Sequence, residues 1–177
     1  MIRIIESPRE AMQGLQQQIP TEAKVKYIDS LLQAGFDTVE TGSYVSPKLI
    51  PQMADSLDVL AKLDTRNTKS NIMFLAVSTK GADVIANSEV VTHISYPFSI
   101  SPAFLRKNLN TDTAGSLDTV SHIAEICRKT GKFPVIYIFH WHLATISEIP
   151  GALKFWRKEL FNYMKGESGR FPFQMFP

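Results

Sequence analysis

The sequence predicts an α/β fold built on a parallel sheet, and three observations predict it. Short apolar runs of strand length alternate with amphipathic stretches of helical period. The breaks between them carry glycine or proline where an element must stop. The connections are short, as they are when helices return the chain to a neighbouring parallel strand.

Residues 2–5, Ile-Arg-Ile-Ile, read as a short buried strand that Ser7-Pro8 breaks. Over residues 21–34 the apolar Val25, Ile28, Leu31 and Leu32 recur at helical spacing, with Thr21 placed to cap the helix and Gly35 to close it. Residues 36–41 are a strand. A second helical stretch starts at Pro47, with Ile50, Met53, Leu57, Leu60 and Leu63 on one face and Ser46 as its cap. Residues 72–77 form a strand, 81–88 a short helix and 90–96 a strand. A polar loop with Asn108 and Asn110 follows, then a helix over 113–129 closed by Gly131, then a strand over 134–138.

Two architectures satisfy this order, a doubly wound sheet and a (β/α)8 barrel. The first lacks a phosphate-binding glycine loop after strand one, where Ser7-Pro8-Arg9-Glu10 stands instead. The second needs about 250 residues, against 177 here.

Composition excludes several classes of function. Hydrophobic residues are 44% and charged residues 20%, which is globular rather than disordered. No apolar run approaches the ~20 residues of a membrane span. A net charge of +2 is too mild to point to nucleic acid or an anionic membrane. A single cysteine, Cys127, excludes an internal disulfide framework and reads as a small buried hydrophobe. The opening MIRIIESPRE lacks the features of a secretory signal, so the expected compartment is the cytoplasm.

Several polar residues are placed for chemistry. Arg9, Glu10 and Gln13 follow the first strand, at the end where a barrel gathers its catalytic groups. Arg9 suits a carbonyl or a developing enolate, and Glu10 suits a divalent cation; a surface ion pair is the bland alternative. Glu40 is a carboxylate among apolar strand neighbours, either aimed at a site or facing water at an edge. Asn108 and Asn110 serve a ligand or a turn. His140 and His142 are spaced to share a metal or lie on a surface loop.

The motifs then suggest a family. Pro8-Arg9-Glu10-Ala11-Met12-Gln13-Gly14 resembles the Pro-Arg-Asp-Gly-Leu-Gln-Asn signature of hydroxymethylglutaryl-CoA lyases. GFDTVETGSYVSPKLIPQMAD, residues 35–55, resembles their second strand and the Val-Ser-Pro-Lys and Pro-Gln-Met loop after it. Ser99 through Asn110 resembles a third segment, and the likeness runs from residue 2 to about 138. It implies a TIM barrel, here truncated to about its first five strands. It implies a divalent metal, Mg²⁺ or Mn²⁺, and an acyl-CoA substrate, 3-hydroxy-3-methylglutaryl-CoA, cleaved to acetyl-CoA and acetoacetate. By the same pattern Arg9 and Glu40 are catalytic, Glu10 ligates the metal in place of the usual aspartate, and Gln13, Ser43, Lys48 and Asn108 bind substrate. No nucleic-acid or membrane partner is implied, and the parent could be an oligomer.

The likeness stops abruptly near residue 139. Shifting the reading frame by one base in the tail forces leucine from His140-Trp141, alanine from Trp141-His142 and leucine from Phe155-Trp156. With permitted codons elsewhere the shifted tail resembles the family's fifth and sixth strands. The expected organisation is therefore a lyase-like half-barrel over residues 1–138 and an out-of-frame tail over 139–177, in which the two histidines are accidents of frame. A chain so divided leaves unpaired strand edges and an uncovered apolar face, and is expected to be poorly stable and catalytically inactive. Two alternatives stay open, a half-barrel acting as a binding or assembly module and a related Claisen-type acyl-CoA transferase.

Overall fold

In the computed structural model, which describes residues 3–139, five parallel strands lie side by side in the order of the sequence. They are β1 (Ile5–Glu6), β2 (Thr38–Tyr44), β3 (Asn71–Ala76), β4 (His93–Ser99) and β5 (Phe133–Phe139). A doubly wound sheet reverses its strand order at a switch point and carries helices on both faces. Neither feature is present among the described residues. On one face Gly42 of β2 lies against Phe74 of β3 and Ser56 of helix α3 (Ser56–Lys62), and Tyr96 of β4 bonds Ser116 of helix α6 (Thr113–Thr130) at 2.9 Å. Glu40, Met73, Ser95 and Tyr137 lie toward the other face. The architecture is an arc of a (β/α) barrel, which decides between the two expectations.

Between β1 and β2 the chain forms two helices rather than the single one expected, α1 (Pro8–Gln13) and α2 (Thr21–Ala34). Proline at the first helical position suits α1, because its missing N–H would have no partner there. Gly35 closes α2 and Gly131 closes α6, with φ of 81° and 71°, conformations that penalise a Cβ. The remaining elements are α4 (Thr79–Ala86), capped by the Ser78 hydroxyl, and a one-turn helix α5 (Pro102–Phe104) running into a π turn (Leu105–Leu109).

β2 carries a bulge. Its pairing with β3 skips a residue between Glu40 and Gly42. Gly42 then faces the helices, and its place is tight: an added Cβ would sit 2.7 Å from the Phe74 ring and 3.0 Å from Ser56 Cβ. Ser43, one residue on, points to the opposite side by strand alternation.

The core is the apolar layer between sheet and helices, with Ile28, Val39, Phe74, Ile85, Ile94 and Ile123 all at 0% exposure. Thr21 does not cap α2; it is the first helical residue, and its hydroxyl donates to Asp55. No helix starts at Pro47. The Ser46 carbonyl closes a turn onto Leu49 and Ile50, and the helical part begins later, as a 3₁₀ turn (Pro51–Met53) and α3. Its buried face is Met53, Ser56, Val59 and Leu60, whereas Leu57 is exposed, because the 3₁₀ turn changes the winding before α3 begins. The buried strand expected over residues 2–5 is not found among those of them that are described: Arg3 is exposed and Ile5 half-buried. Pairing covers only Ile5–Glu6, and Ile4 is exposed. The segment with Asn108 is a π turn rather than a loop. Phe139, the first residue of the expected tail, ends β5, and the rest of that tail, with His140 and His142, lies outside the described residues.

Candidate active site at the ends of strands one to five

One buried carboxylate organises the site. Glu40, at 0% exposure on β2, accepts from Ser7 Oγ at 2.7 Å, Arg9 Nε at 3.0 Å and Arg9 Nη2 at 2.6 Å, all on Oε2. Its Oε1 accepts from Ser95 Oγ of β4 at 2.7 Å. A carboxylate taken out of water requires such partners. Four donors, two of them from a guanidinium, supply them. The edge alternative for Glu40 is thereby excluded.

Arg9 is equally enclosed, at 5% exposure. The short helix α1 delivers it across the end of the sheet, and Nη1 donates to Gln13 Oε1, one helical turn away, at 3.0 Å. These contacts engage three of the five N–H groups of a guanidinium, which leaves donors for a ligand oxygen. Arg9, Gln13 and Glu40 are therefore brought together as the sequence suggested.

Glu10 sits at the rim. Its side chain is 60% exposed, and Oε2 lies 3.8 Å from Arg9 Nη2. Among the described residues no three His, Cys, Asp or Glu side chains converge. Both oxygens of Glu40 are already occupied by donors. Beside Arg9 the described residues offer a divalent cation one accessible carboxylate, that of Glu10, and do not by themselves fit a metal centre.

Ser43 is buried at 3% exposure, and its hydroxyl is the one buried side-chain polar atom among the described residues with no hydrogen-bond partner. Lys48 is exposed in the turn after β2. Asn108 is exposed too, with its amide donated to the Phe104 carbonyl, and Asn110 takes a left-handed conformation at the end of the π turn. Neither Lys48 nor Asn108 takes part in the Arg9–Glu40 hydrogen bonds.

Three site residues escaped the sequence reading. Ser7 and Ser95 complete the ring of donors, and Tyr137 of β5 stands beside Glu40. Burial, with the negative charge of Glu40 added to it, pushes the Tyr137 phenol well above its ordinary value, so it keeps its proton. The missed signal was alternation: Ser95 and Tyr137 hold the positions of their strands that share a side with Glu40.

Comparison with known proteins gives this geometry a context. No family profile matches the chain. The chain is 33% identical over 129 residues to a 3-hydroxy-3-isohexenylglutaryl-CoA/hydroxymethylglutaryl-CoA lyase of Pseudomonas aeruginosa, covering 72% of this chain and 42% of the relative. It is 35% identical over 133 residues to the mitochondrial hydroxymethylglutaryl-CoA lyase of Bos taurus, covering 73% and 40%. Among solved structures, the Pseudomonas aeruginosa lyase superposes with a TM-score of 0.69 at 33% identity, over 77% of this chain and 45% of that one. The Bacillus subtilis lyase superposes with a TM-score of 0.77 at 24% identity, over 92% and 55%, a likeness of fold. The chain resembles hydroxymethylglutaryl-CoA lyases in sequence and fold, and it spans about 40% of the length of these curated relatives.

Proposed function

We propose that residues 1–138 are the first part of a carbon–carbon lyase acting on 3-hydroxy-3-methylglutaryl-CoA, and that 139–177 are an out-of-frame tail. The observation that carries this reading is the buried Arg9–Glu40 pair within a barrel arc similar to those lyases.

The reaction removes the proton of the 3-hydroxyl, breaks the bond between C2 and C3, and releases acetoacetate. The electron pair of that bond becomes the enolate of acetyl-CoA, which then takes a proton. Arg9 has a clear task in this sequence. Its remaining N–H groups donate to the thioester oxygen as it gains charge, in a position where water is largely excluded. Glu40 holds the guanidinium plane, and Gln13 fixes its other edge. The orphaned hydroxyl of Ser43 is free to donate to an acyl oxygen. Lys48, on the exposed turn, suits the anionic part of a CoA thioester. A divalent metal at Glu10 would need its other ligands from outside the described residues, and no step is assigned to it. The same holds for Asn108 as a substrate contact.

The test has two stages. Reading the gene from the Pro134 codon through a kilobase downstream should reveal one missing or added base near the Ile138 codon. The chain as written should then give no acetyl-CoA or acetoacetate from the thioester, with Mg²⁺ or Mn²⁺ supplied. The frame-restored protein should turn over, and Arg9→Met should cut that turnover at least 100-fold, as loss of an oxyanion donor does. An intact frame, or a restored protein without lyase activity, would overturn the proposal.

A further inference from the structure

The Pro-Gln-Met triplet of residues 51–53 has no part in the chemistry above, yet Gln52 is buried at 3% exposure. Its side chain spends all its main hydrogen-bonding capacity on one neighbouring segment. Oε1 accepts from the Ile19 amide at 2.9 Å, and Nε2 donates to the Gln17 carbonyl at 2.9 Å and the Leu15 carbonyl at 3.4 Å. That segment, residues 14–19, is irregular and largely exposed, and it leads directly out of α1. A helix of six residues has little stability of its own, so what holds its exit decides where its side chains stand.

Gln52 is itself held. Buried Lys24 of α2 donates to the Gln52 carbonyl and pairs with Asp55 Oδ1 at 2.6 Å, while Thr21 donates to Asp55 Oδ2 at 2.6 Å. A lysine at 2% exposure is a costly choice for a helix face that otherwise carries Val25, Ile28 and Leu32. It ties α2 to the segment after β2 at the residue that clamps α1.

We propose that Gln52, braced by Lys24, is a positioning residue that fixes the exit of α1 and thereby holds the Arg9 guanidinium on Glu40. The proposal rests on the reading of Arg9 and Glu40 as the working pair, but its test needs neither ligand nor turnover.

In the ¹⁵N-labelled 177-residue chain, the Arg9 Nε–Hε resonance reports the bond to Glu40 directly, and Arg9→Lys assigns it. Gln52→Leu should broaden or displace that resonance and speed exchange of the Ile19 amide about three- to tenfold, the loss of one hydrogen bond. Gln52→Glu keeps the acceptor for Ile19 but loses the donor to Leu15 and Gln17. It should displace the Arg9 signal while leaving Ile19 nearly protected, and it decides the matter if the leucine variant does not fold. An Arg9 resonance unmoved in Gln52→Glu, or in Gln52→Leu while Ile19 exchange is faster, would overturn the proposal, because Gln52 would then serve its loop alone. Turnover of the frame-restored protein is a separate assay, so failure of the lyase reading would show there and not here.

Discussion

Removing the Glu40 carboxylate should be among the most damaging single changes to this fold. Glu40→Ala takes away the acceptor of four donors and leaves the Arg9 guanidinium, 5% exposed, without its counter-charge. Breaking a buried pair from one side costs about 3–5 kcal/mol, a large part of the ~5–15 kcal/mol by which domains are stable. Glu40→Gln separates charge from shape. The amide oxygen can still accept from Ser7 and Arg9, and the Ser95 hydroxyl can turn to accept from the new amide. Only the charge assistance is lost, at about 1.5–3 kcal/mol for bonds to an ionised group. Equilibrium urea unfolding reads both. With a slope of ~2 kcal/mol per molar, the midpoint should fall by about 1 M for glutamine and about 2 M for alanine. The glutamine variant keeps the series readable if alanine empties the folded state. A loss below about 1 kcal/mol for alanine, typical of an exposed pair, would refute the account of Glu40 as a desolvated hub.

Three further outcomes are expected. Burial opposes ionisation of Asp55, but hydrogen bonds from Lys24 and Thr21 overcome it and hold the carboxyl below its ordinary 3.8. Its stabilising contribution is therefore complete above that value and lost as pH falls through the lower folded value, so the urea midpoint should drop on acidification from pH 6 to 3, and less steeply in Asp55→Asn. Cys127, at 0% exposure with its thiol pushed up to about 12 by burial, should resist a thiol reagent at pH 8 in the native chain and react fully in urea; native labelling would contradict its place in the core. Gly42→Ala should cost about 1–3 kcal/mol by overpacking against Phe74 and Ser56, whereas Gly14→Ala, with open space around it, should be neutral or stabilising by about 0.4–1 kcal/mol in the same melt.

The helices with unbroken periodicity were legible from sequence: α2 and α6 end at the glycines that φ requires, and Cys127 lies in the core as expected. Strand order was not legible, because a doubly wound sheet and a barrel share the same alternation and differ only in which strands touch. Local chemistry misled at Thr21 and Ser46, residues that cap helices elsewhere, because here the Thr21 hydroxyl serves Asp55 and Ser46 closes a turn through its carbonyl. Lys24 was invisible as a buried residue, since its partners arrive from about thirty positions away, as Glu40 does for Arg9. Arg9, Gln13 and Glu40 could be named through motif and resemblance, but Ser7, Ser95 and Tyr137 join them only in three dimensions.

The bulge in β2 has a consequence for how that strand tolerates change. An unbroken strand shows its residues to one side at even intervals, so an acid and a hydroxyl three positions apart would look in opposite directions. By slipping one beat at Thr41, β2 presents Glu40 and Ser43 together and turns Gly42 to the helices. The strand is two rhythms spliced end to end. Residues 38–43 are all buried, so a mutational scan would find not tolerant positions but a change in what each position accepts: apolar or small toward the helices at Val39 and Gly42, polar toward the other side at Glu40 and Ser43, with Thr41 as the point where the count restarts.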